Sequence, residues 1–128
     1  MENNIVLYVL LAVVLFFFVR KYLRMRSVKN YSVAEVAEKV KNNPNAVLLD
    51  VRTAQERSYS AIKNSLHIPL NELNSRMDEL QKYKPKEIIC YCQSGSRSLV
   101  AAAKLHYSGF DAANMKGGIG EWNFHHLK

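Results

Sequence analysis

The chain has 128 residues, of which 48% are apolar, and 18 Lys and Arg residues against 11 Asp and Glu residues give it a formal net charge of +7. This length leaves room for one domain. Residues 1–30 carry a net charge of +4 and residues 31–128 only +3, without a basic stripe interleaved with aromatic residues, which argues against a nucleic-acid-binding protein.

An apolar segment near the start predicts a transmembrane helix over residues 3–23. The run from Ile5 to Val19 is unbroken. As a helix it is ~22 Å long, and its flanking residues extend it to ~31 Å, enough for a hydrocarbon core of ~30 Å. A cleaved signal peptide would need basic residues before the run, where only the acidic Glu2 stands. A buried helix of a soluble domain should not be apolar on every face.

Five basic residues follow the apolar run: Arg20, Lys21, Arg24, Arg26 and Lys29. Their position predicts that the rest of the chain lies in the cytoplasm, because basic residues flank membrane helices mainly on that side. Residues 24–31 are predicted to form a basic juxtamembrane linker against anionic lipid headgroups. We therefore expect a single-pass membrane protein that contacts lipid through its N-terminal helix.

The body of the chain begins with a predicted helix. Ser32 and Glu35 have the spacing of a capping box, and one apolar face follows at Val33, Val36, Ala37 and Val40. Residues 46–49 are a continuous apolar run, typical of a parallel strand that is covered on both faces. Asp50 and Arg52 come at the carboxyl end of that strand, the edge at which ligands bind in open α/β sheets.

Helices and strands then alternate to the end of the chain. The predicted elements are a short helix at 54–58, a strand at 66–68 stopped by Pro69, an amphipathic helix over Leu70, Leu73, Met77 and Leu80, a strand at 88–91, a helix to about Ser108, a strand at 111–115 and a final turn with Trp122. This alternation predicts an α/β domain with a mostly parallel sheet.

The loop from Cys92 to Arg97 lies between the central strand and the next helix. Backbone N–H groups in such a turn form an anion-binding concavity, and the helix dipole adds partial positive charge. Both effects favour a thiolate at Cys92 and lower its pKa. Gly95 relieves the turn, and Arg97 adds a cation suited to an oxyanion. The alternative is a buried structural cysteine, and Cys90 is expected to be a core residue.

Four groups of residues together resemble the rhodanese family in order and spacing. They are Asp50-Val51-Arg52 with Glu56, Ile68-Pro69-Leu70, the Cys92 loop, and Gly117-Gly118 with Trp122. The resemblance covers roughly residues 31–123 and implies a three-layer α/β domain over residues 32–123 with about five strands, followed by a tail at 124–128. It also implies sulfurtransferase activity through a persulfide, without a metal or an organic cofactor.

The resemblance assigns the site residues. Cys92 is the expected nucleophile, Asp50, Arg52 and Glu56 support it, and the substrate-binding loop is Gln93, Ser94, Gly95, Ser96, Arg97 and Ser98. The expected partners are a small sulfur donor, such as thiosulfate or a persulfide, and a thiol or cyanide acceptor. Arg97 either orients the donor or braces the loop through a carboxylate, and both roles stay open at this point.

Two departures from the family pattern stand out. Ser60-Ala61-Ile62 and Asn64-Ser65 replace the usual Gly-His-Ile and Gly-Ala, and Gln93 stands where many relatives carry a basic residue. The second change predicts modest affinity for a dianion such as thiosulfate.

Two other functions fit parts of the pattern. A cysteine phosphatase also uses a loop between cysteine and arginine, but its arginine lies six positions after the cysteine, where this chain has Ser98. A membrane-tethered binding module or sulfur relay without turnover is the non-enzymatic alternative.

Overall fold

The computed structural model describes residues 2–126 and shows a parallel sheet between two layers of helices. The five strands are β1 Lys29–Tyr31, β2 Ala46–Asp50, β3 Leu66–His67, β4 Glu87–Tyr91 and β5 Asp111–Met115. They lie in the order β1-β5-β4-β2-β3, and each pair is parallel. The predicted sheet of about five strands is confirmed.

Within residues 2–126, six α-helices accompany the sheet: α1 Glu2–Arg26, α2 Val33–Asn42, α3 Ala54–Tyr59, α4 Leu73–Arg76, α5 Ser96–Tyr107 and α6 Gly118–His126. The predicted capping box starts α2, where the Glu35 amide donates to Ser32 Oγ at 3.1 Å and the Ser32 amide donates to the Glu35 carboxylate at 3.4 Å. These two bonds satisfy amide groups that have no partner inside the helix.

Each face of the sheet buries its own apolar cluster. One cluster joins Ile88 and Cys90 of β4 to Ala101 and Leu105 of α5, together with Leu73 of α4. The other joins Ile89 and Tyr91, the alternate residues of β4, to residues of the opposite helical layer: Val33, Val36 and Ile119. Successive side chains on a strand point to opposite faces, so a strand covered on both sides is apolar throughout.

Helix α1 is exposed over residues 3–24 and, among the described residues, is the one helix long and apolar enough to cross a membrane. Its C-terminal end lies against α5. Ser27 Oγ is 3.1 Å from the Tyr107 hydroxyl, and the Arg24 guanidinium lies 5.1 Å from the centre of the Tyr107 ring. The C-terminal end of α1 and the residue that follows it therefore contact the domain.

The segment predicted as a basic linker over residues 24–31 differs in the structure. Helix α1 continues to Arg26, and β1 adds to the sheet edge by pairing with β5. The Lys29 ammonium donates to Glu87 at 2.8 Å and to Asp111 at 2.7 Å. A charge assigned from the sequence to lipid headgroups thus pairs with carboxylates that come from distant parts of the chain.

Two further segments differ in detail from the sequence predictions. The predicted amphipathic helix from Leu70 is a 3-10 turn at Leu70–Glu72, the single turn α4, and a 3-10 helix at Met77–Tyr83. The apolar residues of this segment are three or four positions apart, a spacing that places them on one face of either kind of helix, so the spacing alone did not distinguish an α-helix from 3-10 turns. The predicted final turn is the helix α6, and it takes in residues 124–126 of the predicted tail. Residues 127 and 128 lie outside the described residues.

Candidate active site

The cysteine loop connects the end of β4 to the start of α5. Cys92 follows Tyr91 directly, and Gly95 has a φ of +105°, in the left-handed region that favours glycine. A Cβ atom on Gly95 would lie 3.2 Å from the Gly117 amide nitrogen, so the space there is tight as well. This turn folds the chain back over the sulfur of Cys92.

Backbone amides converge on that sulfur. The Gly95 amide donates to Cys92 Sγ at 3.1 Å and the Ser98 amide donates at 3.4 Å. The Ser98 hydroxyl oxygen is also 3.4 Å from Sγ. Burial raises the pKa of the Cys92 thiol, but hydrogen bonds from Ser98, Gly95 and Ser94 outweigh it, so the pKa lies below the ordinary value for cysteine. The loop therefore favours the thiolate form.

The two cysteines differ in their surroundings although both are free and buried. Cys90 lies in the apolar cluster on the α5 side, and burial raises the pKa of its thiol. Cys92 is also fully buried, but its sulfur meets polar donors. A reagent must therefore enter the loop to reach Cys92, and Cys90 is expected to stay protonated.

Arg97 faces a carboxylate and braces the loop. Its two terminal nitrogens donate to the two oxygens of Glu56, each at 2.7 Å. These hydrogen bonds lower the pKa of Glu56 to about 2. Glu56 also accepts from Thr53 at the start of α3. The pair ties the start of α5 to the start of α3.

Asp50 and Arg52 form a buried ion pair beside the loop. Arg52 Nε and Nη2 donate to the two Asp50 oxygens at 3.1 and 2.8 Å. Arg57 and the Tyr91 hydroxyl donate to the same carboxylate at 3.1 and 3.0 Å. Burial by itself would raise the pKa of Asp50, and the bonds from Arg52 lower it below its usual value. Asp50 is thus the centre of a fixed, ionised network.

The start of α6 supports the other side of the loop. The Ile119 amide donates to the Cys92 carbonyl at 2.9 Å, and the Gly120 amide donates to the Gln93 carbonyl at 3.2 Å. A Cβ atom on Gly118 would lie 2.4 Å from the Gln93 carbonyl oxygen, so only glycine fits there. The loop is therefore held between α5, α3 and α6.

Comparison with known proteins identifies this arrangement. The family model for the rhodanese-like domain matches residues 32–125. The chain belongs to the rhodanese-like family. A sulfurtransferase of Allochromatium vinosum is 31% identical over 93 residues, which cover 72% of this chain and 85% of that protein. These similarities support a role in sulfur transfer.

Solved structures agree with the fold of this rhodanese-like domain. A rhodanese-related protein of Thermoplasma volcanium is 29% identical, with a TM-score of 0.69 over 76% of this chain and 92% of that one. A thiosulfate sulfurtransferase of Pseudomonas aeruginosa is 24% identical and has a TM-score of 0.70 over 79% of this chain and 20% of its own. At that identity the second comparison concerns the fold alone.

The rhodanese-like fold brings the predicted site residues together at one edge of the sheet. Gln93, Ser94 and Ser96 are exposed, whereas Ser98 is buried beside the sulfur. In the segment that departs from the family pattern, Asn64 has a φ of +67°, which asparagine tolerates better than most residues. Ser65 Oγ lies 2.9 Å from the Tyr91 hydroxyl. The altered segment thus joins the Asp50 network.

Sequence reasoning missed three residues of the rhodanese-like site: Arg57, Tyr91 and Asn114. The first two complete the Asp50 network, and the third contacts the cysteine loop. Asn114 had a detectable signal, because it is a polar residue between Ala113 and Met115 in a predicted strand, and a buried polar group is usually hydrogen-bonded.

Proposed function

We propose that this protein carries a sulfane sulfur atom as a persulfide on Cys92 and passes it to a thiol. The observation that supports the proposal most directly is the pair of amide donors, from Gly95 and Ser98, on Cys92 Sγ. Such fixed donors stabilise negative charge on sulfur both before and after it accepts a second sulfur atom. Membership of the rhodanese-like family agrees with this chemistry.

The reaction consists of two displacements on one sulfur atom. In the first, the Cys92 thiolate attacks the outer sulfur of the donor, a new S–S bond forms, and the old bond breaks with its electron pair leaving on the donor. The leaving group is sulfite if the donor is thiosulfate and a thiolate if the donor is a persulfide. In the second, an acceptor thiolate attacks the outer sulfur, and Cys92 leaves as a thiolate.

The charges of the loop favour a persulfide donor over thiosulfate. The terminal nitrogens of Arg97 are engaged by Glu56, and the exposed position next to Cys92 carries the neutral Gln93. A dianion would have to compete with the Glu56 carboxylate for the guanidinium. A persulfide, which carries at most a single charge on sulfur, needs only the amide donors.

A turnover assay on the full-length chain in detergent tests the function. The full chain is used because it keeps β1 in the sheet and the contact of Arg24 in α1 with Tyr107 in α5. We expect a mass increase of one sulfur atom on the peptide that contains Cys92 after exposure to a persulfide donor, and its loss when a thiol is added. Cys92→Ser should abolish both, and Cys90→Ser is the matched control. Equal product formation by Cys92→Ser would overturn the proposal.

We also propose that α1 anchors the domain to a membrane with the domain on the cytoplasmic side. The apolar and exposed surface of α1 and the basic residues after it support this arrangement. Extraction of cell membranes with alkaline carbonate should leave the full chain in the pellet. Protease added to sealed vesicles of known orientation should cut the domain only where the cytoplasmic face is outside. Release by carbonate, or protection in those vesicles, would contradict the proposal.

A further inference from the structure

Asn114 is a buried polar residue of β5, preceded by Ala113 and followed by Met115, and both ends of its amide are hydrogen-bonded. Its Nδ2 donates to the Gly95 carbonyl at 3.2 Å and to Asn30 Oδ1 at 3.0 Å. Its Oδ1 accepts from the Ser98 hydroxyl at 2.6 Å. The Gly95 and Ser98 amides donate to Cys92 Sγ at 3.1 and 3.4 Å. Asn114 is therefore hydrogen-bonded to both Gly95 and Ser98, through the carbonyl of the first and the hydroxyl of the second.

The hydrogen-bond network fixes which way the Asn114 amide points. Asn30 Nδ2 donates to the Val28 carbonyl at 3.1 Å, so Asn30 presents its oxygen to Asn114. The Gly95 carbonyl can only accept. Reversing the Asn114 amide would place its oxygen against these two oxygens, so Nδ2 faces them and Oδ1 faces Ser98.

This orientation decides where the hydroxyl proton of Ser98 goes. A serine hydroxyl has one proton. Two acceptors compete for it, Asn114 Oδ1 at 2.6 Å and Cys92 Sγ at 3.4 Å. The shorter contact has the geometry of a strong O–H···O bond, so the proton points to Asn114. Of the hydrogen bonds that lower the pKa of Cys92, the one from the Ser98 hydroxyl is then given up to Asn114, and the sulfur keeps the backbone amides of Ser98, Gly95 and Ser94 as its donors.

We propose that Asn114 is a positioning residue for Cys92, which holds the Gly95 peptide in place and keeps the Ser98 proton away from the sulfur. The consequence for reactivity rests on the proposed sulfur transfer. A thiolate that receives a further hydrogen bond is more stable but less nucleophilic, because nucleophilicity falls with pKa. Asn114 thereby limits the stabilisation of the thiolate and preserves its power to attack a donor.

A double-mutant cycle on the ionisation of Cys92 tests the proposal. The rate at which iodoacetamide alkylates Cys92 is measured against pH by peptide mass spectrometry, on the full-length chain in detergent. The four proteins are the wild type, Ser98→Ala, Asn114→Ala and the double variant. The nearby titratable or charged groups stay the same in all four proteins. They are Arg97 of α5 with its partner Glu56 of α3, Asp50 at the end of β2, and Cys90 on β4.

We expect Ser98→Ala to shift the midpoint of the alkylation profile by different amounts in the wild type and in the Asn114→Ala variant. In the wild type, Ser98→Ala should leave the midpoint of the profile nearly unchanged, because the proton it removes is bound to Asn114. In the Asn114→Ala background the freed hydroxyl donates to Sγ, so Ser98→Ala should raise the midpoint by about one pH unit and slow alkylation at lower pH about tenfold. Ser75→Ala, which removes an exposed hydroxyl on α4 that donates to the Glu72 carbonyl, is the matched control and should not move the midpoint in either background.

An equal shift in both backgrounds would overturn the proposal, because the Ser98 proton would then reach Cys92 regardless of Asn114. No shift in either background would overturn it as well. Asn114→Val, an apolar strand former, replaces Asn114→Ala if the latter does not fold by circular dichroism. If even the wild type fails to transfer sulfur, the proposed function fails, whereas the alkylation cycle still decides the role of Asn114.

Discussion

Arg97 and Glu56 face each other with both nitrogen–oxygen distances at 2.7 Å, and this two-point contact ties the cysteine loop to α3. Their side chains are 37% and 31% exposed, so solvent screens the pair. We expect Glu56→Gln to lower the free energy of unfolding at neutral pH by about 1 kcal/mol. Urea denaturation measures this change, with Glu38→Gln as an exposed control.

The same pair predicts a pH dependence. The pKa of Glu56 falls from 4.5 to about 2 on folding, so the unfolded chain binds more protons between these values. The contribution of Glu56 to stability is therefore present above pH 4.5 and is lost as the pH falls towards 2. We expect Glu56→Gln to flatten the stability profile in that window, as measured by urea denaturation at each pH. An unchanged slope would contradict the assigned ion pair.

Among the residues of the buried network, Asp50 is expected to cause the largest loss of stability when it is substituted. Replacing it by asparagine leaves the guanidinium of Arg52, which is 2% exposed, without its counter-charge. Such an unpaired buried charge costs about 3–5 kcal/mol of stability. Asp78→Asn is the control on an exposed aspartate. Similar midpoints of urea denaturation for the two variants would show that the Asp50 network contributes little to folding.

Gly118 is predicted to tolerate no side chain. A methyl group there would collide with the carbonyls of Cys92 and Gln93, and the φ of +63° adds strain. We expect Gly118→Ala to destabilise the domain by about 3 kcal/mol and to slow alkylation of Cys92. Gly109→Ala is a matched control, since Gly109 also has a positive φ but its added Cβ would meet only the Lys84 ammonium at 3.8 Å. Equal losses in both variants would point to backbone strain alone.

The two cysteines should react differently with alkylating reagents. Iodoacetamide is expected to modify Cys92 and leave Cys90 free at neutral pH. Cys90 is packed in the core, and this burial raises the pKa of its thiol. Since Cys92 is also covered, larger maleimides should react several-fold more slowly than their reactivity in solution predicts. Because the two cysteines are two residues apart, fragment ions of the peptide that contains both assign the modified site, and modification of Cys90 in the folded protein would contradict this assignment.

The local rules of the chain were enough to predict most of the elements. The capping box at Ser32, the apolar runs of β2 and β4, and the turn at Gly95 depend on neighbours within a few residues, so their spacing predicts them directly. The position of Cys92 between a buried strand and a helix is likewise a local property. The α/β class and the candidate nucleophile therefore follow from sequence alone.

The tertiary structure alone decided which partners the charged and polar groups have. Lys29 pairs with carboxylates 58 and 82 residues away, and Arg97 pairs with Glu56, 41 residues away. Asn114 reaches Ser98 across the gap between β5 and α5. Local spacing carries no information about such contacts, because a charged or amide side chain pairs with whichever complementary group the fold brings within about 3 Å.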